Sequence, residues 1–342
     1  MQPKPKLLIC ELWGLGDLVL ATTLISAAAE SFEVHLLAKP HARELLQPTF
    51  PHVIFHDFVA PWTVHRGKYH LWRWPWRVLL SLLWRLRGEH YSAAASVRHD
   101  PRDHLLMWLA GVQRRLGFPT KGSGKFLTDS LPPERDRHRV ESWRAIASAL
   151  QIPGSADAAP LLDPQRYATE RMDQLLAPPL VCLHAGAAAA VRRWPEAYFE
   201  ATVRNLRERF DFRLLLIPDH DGFGRSLAPL ADVVLEAPAL RELVDVLARA
   251  DLLLCNDSGP MHIAAACGTP TIPFWGPGHF SVFRPWGDSH QPAVRDICSY
   301  RPCFDYCRFQ EPYCLTSLTP EEVWPEVSGQ AERILARQRA AP

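Results

Sequence analysis

Short apolar runs alternate along the chain with amphipathic or small-residue stretches, which is the rhythm of strands and helices in turn. In the first half, Leu7 to Cys10, Glu33 to Ala38, Val53 to Phe58 and Ala93 to Val97 read as strands. Leu18 to Glu30, residues 78–87, His104 to Leu109 and Glu141 to Leu150 read as helices. Residues 151–178 are rich in Pro and Ala, carry no strong period and read as a connection between domains. A second series then begins with a strand at Leu180 to Leu183, a helix over 195–209 and a strand over 213–217. It continues with a helix over 240–249, a strand over 252–255, a helix over 261–267 and a strand over 271–275. Thr319-Pro320-Glu321-Glu322 caps a last helix that runs to about Arg337. Two successive βαβα series predict an α/β protein with two parallel-sheet domains.

Composition narrows this picture without redirecting it. A chain of 342 residues can hold two domains with cores of their own. The formal net charge of +1 gives no global attraction to nucleic acid, so any basic feature has to be local. No uninterrupted apolar run reaches the length of a membrane span. Lys4 and Lys6 precede an apolar stretch as in a signal peptide, but Glu11 and Asp17 interrupt it, and a retained first strand and helix fit better. Cys10, Cys182, Cys255 and Cys267 fall in predicted strands and helices as small buried hydrophobes. Cys298, Cys303, Cys307 and Cys314 form a C-x4-C-x3-C-x6-C run. It is either a site for structural zinc or an iron–sulfur cluster, or a surface segment of reduced thiols; the irregular spacing favours the second.

The densest chemistry lies in residues 256–276, Asn-Asp-Ser-Gly-Pro-Met-His followed by a small-residue helix that ends at Gly268 and a strand that ends at Gly276. A strand, a tight Ser258-Gly259 turn and a helix N-terminus hold phosphate oxygens on free backbone N–H groups. Asp257 and His262 flank the turn, so a polyhydroxylated ligand can be gripped as well. The pattern suits a nucleotide sugar, and hence a glycosyltransferase. His262 is read either as a diphosphate ligand or as a plain first-turn residue.

Asp17 follows Gly14-Leu15-Gly16 at the carboxyl end of the first strand, where open α/β sheets place ligands. It is either a general base for a sugar hydroxyl or a cap for the helix that follows. A dinucleotide fingerprint fails there, because Val19 stands at the third glycine position and Lys39, not an acid, ends the second strand. Asp219-His220-Asp221 is a D-x-D after an apolar strand, the pair that holds a divalent cation in GT-A enzymes. Its place in the middle of the second domain makes it a loop near the nucleoside instead. Between Trp62 and Arg87 lie Trp72, Trp74, Trp76 and Trp84 with Arg66, Lys68, Arg73, Arg77, Arg85 and no acid. Val78, Leu79, Leu82, Leu83 and Leu86 form an apolar stripe opposite Arg77, Ser81 and Arg85. That composition fits an interfacial membrane contact, with a core-facing helix as the other reading.

Residues 256–276 resemble the donor-site signature of the glycosyltransferase family 9 heptosyltransferases. Leu7 to Thr23, Arg114-Arg115-Leu116-Gly117-Phe118, His184-Ala185-Gly186 with Arg192-Arg193-Trp194-Pro195, and Leu240 to Asp251 match further family segments. These anchors follow the family's order from Leu7 to Gly276. The resemblance implies a GT-B architecture of two facing Rossmann-like domains. An acceptor domain would occupy 1–165, a donor domain 166–318, and a terminal helix over 319–342 would pack back toward the first domain. It implies Asp17 as the base; Gly186, Arg192, Asp257, Ser258, Gly259 and His262 as donor ligands; and Gly16, Arg98 and Arg115 on the acceptor side. No metal site is implied.

The function so implied is an inverting, metal-independent transfer of heptose or a similar sugar from ADP-heptose to a lipopolysaccharide core or related glycan. The partners would be the nucleotide sugar, a lipid-linked glycan and the cytoplasmic face of the inner membrane, with no nucleic acid. The alternatives are a GT-B transferase or epimerase using another nucleotide sugar, and a non-catalytic binding relative. Four departures stand out: Glu11 where many members carry arginine, Ala185 for proline, Pro218 for glycine, and Arg192 in place of the commoner lysine. Loss of an arginine beside the base suggests an acceptor less acidic than the Kdo sugar of the inner core.

Overall fold

The computed structural model describes residues 3–63, 70–133, 135–175 and 179–338. The chain divides into two compact units, Met1–Leu161 and Leu162–Pro342. In the first, β1 (Lys6–Glu11) leads through α1 (Leu15–Ala28) to β2 (Glu33–Ala38), α2 (His41–Leu46) and β3 (Ile54–Asp57). Then come α3 (Trp76–Gly88), β4 (Ala93–Ser96), α4 (Pro101–Leu109), β5 (Arg114–Gly117), β6 (Asp129–Ser130) and α5 (Arg139–Ala149). All pairs are parallel, in the order β3-β2-β1-β4-β5-β6. The central strands are buried on both faces because helices cover both, which is why β1 reads as an unbroken hydrophobic run from Leu7 to Cys10 and β2, from Val34, as one broken only by His35.

The second unit begins with α6 (Glu170–Leu175), β7 (Leu180–His184), α7 (Glu196–Arg207), β8 (Arg213–Leu216) and β9 (Val233–Val234). It continues with α8 (Leu240–Arg249), β10 (Leu252–Asn256), α9 (Gly259–Ala266), β11 (Thr271–Trp275) and α10 (Phe280–Phe283). It ends with β12 (Ala293–Val294), α11 (Tyr313–Thr316) and α12 (Pro320–Gln338). Its sheet, also parallel throughout, runs β12-β11-β10-β7-β8-β9. Counted from its own first strand, this is the same order as in the first unit, and it is the doubly wound arrangement. Trp194 stacks on Phe274 at 3.8 Å in its core. Val323, Val327, Ala331 and Leu335 of α12 join that same core, so the last helix is packed within this unit.

Some elements differ from the sequence reading. α1 begins at Leu15, not Leu18, because Gly14 is its N-cap and Asp17 lies inside the first turn. α9 likewise begins at Gly259, with Ser258 as N-cap and a proline in its first turn, where a missing N–H costs nothing. α6 lies in the stretch read as pure connection. On α3, Leu79, Leu82 and Leu86 are buried as a stripe, but Val78 is 54% exposed and lies off it. Trp62 is a core residue whose indole N–H donates to Asp103 at 2.8 Å, and Trp74 packs on it at 5.4 Å. Arg66 and Lys68 lie outside the described residues.

Candidate active site

In each unit the strand order reverses beside the first strand, between β1 and β4 and between β7 and β10. Such a switch point splays the loops at the strand carboxyl ends and leaves a crevice. The predicted site residues other than Arg115 gather at these two places.

At the first switch point, Asp17 divides its two oxygens. Oδ2 accepts the Gly14 N–H at 3.4 Å, so the side chain does close the helix start. Oδ1 faces the Arg98 guanidinium at 3.5 Å and Arg139 Nε at 3.9 Å. Arg98 follows β4 and lies over the Trp13 ring at 3.9 Å, which fixes its plane. Arg139, at the start of α5, is buried and donates to the Val97 carbonyl at 2.8 Å. Burial, with Arg98 nearby, brings its pKa down to about 10, so it stays cationic at neutral pH. Asp17 is therefore both cap and centre of a polar cluster.

Glu11 ends β1 beneath this cluster and is wholly buried. One oxygen accepts the Trp13 N–H at 3.2 Å, and the other, Oε2, has no hydrogen-bond partner among the described residues. Burial first, and the Asp17 charge second, push its pKa up to about 8. A protonated Glu11 spares Asp17 a second carboxylate next to it. Lys39, after β2, is lowered by burial and feels both acids. Gly16 sits in the first turn of α1 beside Asp17. Arg115 stays apart: it lies early in β5, opposite Ala94, and its guanidinium donates to the carbonyls of Phe126 at 2.6 Å, Gln113 at 3.1 Å and Val112.

The second switch point sets a guanidinium and backbone N–H groups beside two carboxylates. Asn256, at the end of β10, ties its two loops together by accepting the Trp194 N–H at 3.0 Å and donating to the Ala185 carbonyl. Arg192, in a short turn after β7, reaches Asp257 at 3.4 Å and Asp305 at 2.9 Å. Its Nε is buried with no acceptor among the described residues. Ser258 Oγ is likewise buried and without a partner among them, at the mouth of α9. The first N–H groups of α9 have no carbonyl inside the helix to bond, and His262 is buried in that first turn. The structure thus brings Arg192, Asp257, Ser258, Gly259 and His262 to one locality.

Gly186 is needed for packing: a Cβ there would lie 2.6 Å from the Asp219 carboxylate. The D-x-D is already occupied by a side chain. Arg193 places one nitrogen 2.9 Å from Asp219 and 2.7 Å from Asp221, over the Phe223 ring at 4.7 Å. That guanidinium holds the Asp221 carboxyl below its ordinary range. A guanidinium thus stands where a divalent cation would bridge the pair. The four clustered cysteines are free thiols around one hollow with Tyr300, Tyr306, Phe309 and Tyr313. No group of three or more His, Cys, Asp or Glu among the described residues is arranged to hold a metal ion.

Lys39, Arg139 and Asp305 are the members that motif reading did not single out. In the sequence Lys39 stands out only as a missing acid, and Arg139 and Asp305 belong to no recognisable motif.

The family model for glycosyltransferase family 9 (heptosyltransferase) matches residues 79–313. Lipopolysaccharide heptosyltransferase 1 of Pseudomonas aeruginosa is 29% identical over 222 residues, covering 59% of this chain and 61% of that protein. The chain therefore spans about three-fifths (61%) of the length of that curated relative. Among solved structures, ADP-heptose lipopolysaccharide heptosyltransferase II of Escherichia coli has a TM-score of 0.70 at 19% identity, covering 96% of this chain and 99% of its own. The Escherichia coli heptosyltransferase WaaC, solved with ADP-2-deoxy-2-fluoro heptose, has a TM-score of 0.72 at 16% identity, covering 95% and 100%. The two parallel sheets and these matches give the chain a GT-B-like fold.

Proposed function

The chain belongs to glycosyltransferase family 9, and from that premise we propose that it transfers a heptose from ADP-heptose to a lipopolysaccharide core or related glycan. The observation that carries this reading is the contrast of its two switch points, a carboxylate set among arginines at one and an open helix start beside Arg192 at the other.

Asp17 acts as general base. Its Oδ1 takes the proton from an acceptor hydroxyl as that oxygen bonds to the anomeric carbon. The bond from that carbon to the diphosphate oxygen breaks on the opposite face, so the product is inverted. Arg98 and Arg139 flank that oxygen and aim the carboxylate. The departing ADP gains negative charge, which Arg192, His262 and the free N–H groups at the start of α9 stabilise. Asp257 accepts from sugar hydroxyls. With Arg193 filling the D-x-D, the reaction is proposed to need no divalent cation. Glu11 replaces a cation beside the base, which fits an acceptor less anionic than Kdo.

The acceptor is lipid-linked, and α3 with the Leu71–Arg73 turn before it offers a surface suited to it at the cytoplasmic face of the inner membrane. No helix among the described residues is long and apolar enough to cross a membrane. Yet Trp72, Trp84, Leu80 and Val78 are exposed, at 76%, 79%, 62% and 54%. Arg73, Arg77, Arg85 and Arg87 are exposed among them; each would gain about 1 kcal/mol near anionic lipid. Tryptophan at an interface adds anchoring that salt does not screen.

The deciding experiment supplies ADP-heptose with and without a heptose-accepting core glycan, in EDTA, and measures ADP. Acceptor-dependent ADP release that survives the chelator is expected. Release without acceptor, or only with added Mg²⁺ or Mn²⁺, would overturn the proposal. Elemental analysis of the purified protein, run in parallel, keeps any metal on the four cysteines from confusing the result.

A further inference from the structure

Arg192 carries one positive charge and faces two carboxylates, Asp257 at 3.4 Å and Asp305 at 2.9 Å. The two carboxylates thus share one guanidinium at the place where a diphosphate is to bind. Both carboxylates cannot keep their places when a group with two or more negative charges arrives, because like charges at such distances repel strongly away from bulk water. The structure distinguishes the two. Asp257 is 6% exposed and locked, since a Cβ on Gly278 would lie 2.1 Å from its Oδ2. Asp305 has a side chain 31% exposed and sits on a surface segment between Cys303 and Cys307.

That segment is built to present Asp305. Cys303 N–H and Phe304 N–H both donate to the Pro277 carbonyl, at 3.2 and 3.1 Å, which fastens it to the Gly276-Pro277-Gly278 turn. The turn is itself fixed, as a Cβ on Gly276 would lie 2.4 Å from Leu315. Phe304, the residue before Asp305, has φ of +53°, a conformation that an aromatic residue adopts only under constraint. What the constraint achieves is visible in the next residue: a carboxylate placed on Arg192.

We propose that Asp305 is a positioning residue that occupies Arg192 in the empty donor site and is displaced when the donor's diphosphate binds. In the empty site it keeps the guanidinium in plane and pointed toward α9. On binding, the diphosphate takes over the nitrogen that Asp305 held, and Asp305 turns to solvent. After transfer, Asp305 competes with ADP for the same nitrogen and favours its release. This rests on Arg192 being the diphosphate ligand, and the experiment separates the two claims.

ADP is titrated calorimetrically into wild type, Asp305→Asn, Asp305→Glu, Arg192→Gln and the double variant Arg192→Gln/Asp305→Asn, each first checked for an unchanged melting curve. Removing a competing, partly exposed carboxylate should tighten ADP binding about fivefold. Asp305→Glu should behave as wild type. In steady state the donor KM of Asp305→Asn should fall while kcat stays level or drops, a split that loss of a merely structural contact does not produce. Arg192→Gln should weaken ADP binding by about tenfold or more, and Asp305→Asn should then add nothing. Unchanged or weaker binding by Asp305→Asn, beside a defective Arg192→Gln, overturns the competition and leaves the donor site standing. A gain of equal size in the Arg192→Gln background also overturns it, as a general charge effect. Wild-type affinity in Arg192→Gln overturns the donor reading itself.

Discussion

The two units have the same strand order and opposite chemistry at the place where that order reverses. In the first, the loops after β1 and β4 bring together Asp17, Arg98 and, from α5, Arg139, over a buried Glu11. In the second, the loops after β7 and β10 bring together Arg192, Asp257, Ser258 and the open end of α9. Parallel strands end in the same direction, so topology alone fixes where loops converge. The side chains on those loops then decide whether the crevice moves a proton or holds an anion. In the proposed function, proton transfer and diphosphate binding fall to different units, and substitutions should separate them.

The largest effect is expected from Asp17→Asn. Turnover should fall by ~10²–10⁴, as for loss of a general base, while the donor KM changes little. Near-native turnover would reduce Asp17 to a helix cap and erase the contrast. Next comes the packing of the donor side. Gly278→Ala pushes a methyl into the space of the Asp257 carboxylate, 2.1 Å from Oδ2. Disturbing a buried, bonded carboxylate costs about 1–3 kcal/mol, so the donor KM should rise by about tenfold or more. A donor KM unchanged in Gly278→Ala would remove Asp257 from the donor site.

A subtler test concerns the acid beneath the base. Glu11 keeps its proton in the folded state up to about pH 8, whereas its ordinary value is 4.5. Between those values the unfolded chain gives up the proton first. Stability is then full below about pH 4.5 and is lost as pH rises through about 8. Asp103, raised by burial from 3.8 to about 7, acts in the same direction. Above pH 6.5 the histidines that burial lowers, such as His56 and His104, no longer oppose this. The unfolding free energy of wild type in urea should therefore fall from pH 6.5 to pH 8, by at most about 1.4 kcal/mol per pH unit for each such group. Glu11→Gln should flatten that fall, and an identical slope in the variant would contradict a protonated Glu11. The smallest effect on catalysis belongs to the surface of α3. Trp72, Trp76 and Trp84 replaced by Ser should abolish the salt-resistant part of binding to anionic vesicles and leave activity on a soluble acceptor fragment intact. Equal vesicle sedimentation by wild type and variant would rule out α3 as an anchor.

The sheet strands with unbroken apolar runs were legible at once, and β2, β11 and α8 fall where the pattern put them. Elements whose ends depend on caps were read short: α1 and α9 each start earlier, since Gly14 and Ser258 are the caps. β5 carries two arginines in four residues and buries only Leu116 and Gly117, so its hydrophobic signal is weak. β6, β9 and β12 are two residues long and exist only by pairing with a neighbour. The Ser258-Gly259 and Asp17 motifs were visible because their chemistry is local. Arg139 and Asp305 were not, because each reaches its partner from more than a hundred positions away and no periodicity records such a meeting.

The division of labour is tested most directly by calorimetric titration of ADP into wild type, Asp17→Asn and Arg192→Gln under one buffer. The account predicts that Asp17→Asn binds ADP within about twofold of wild type although it no longer transfers sugar, while Arg192→Gln binds about tenfold or more weakly. If Asp17→Asn lost ADP affinity as severely as Arg192→Gln, the carboxylate would be part of the nucleotide site, and the assignment of base and donor grip to separate units would be wrong.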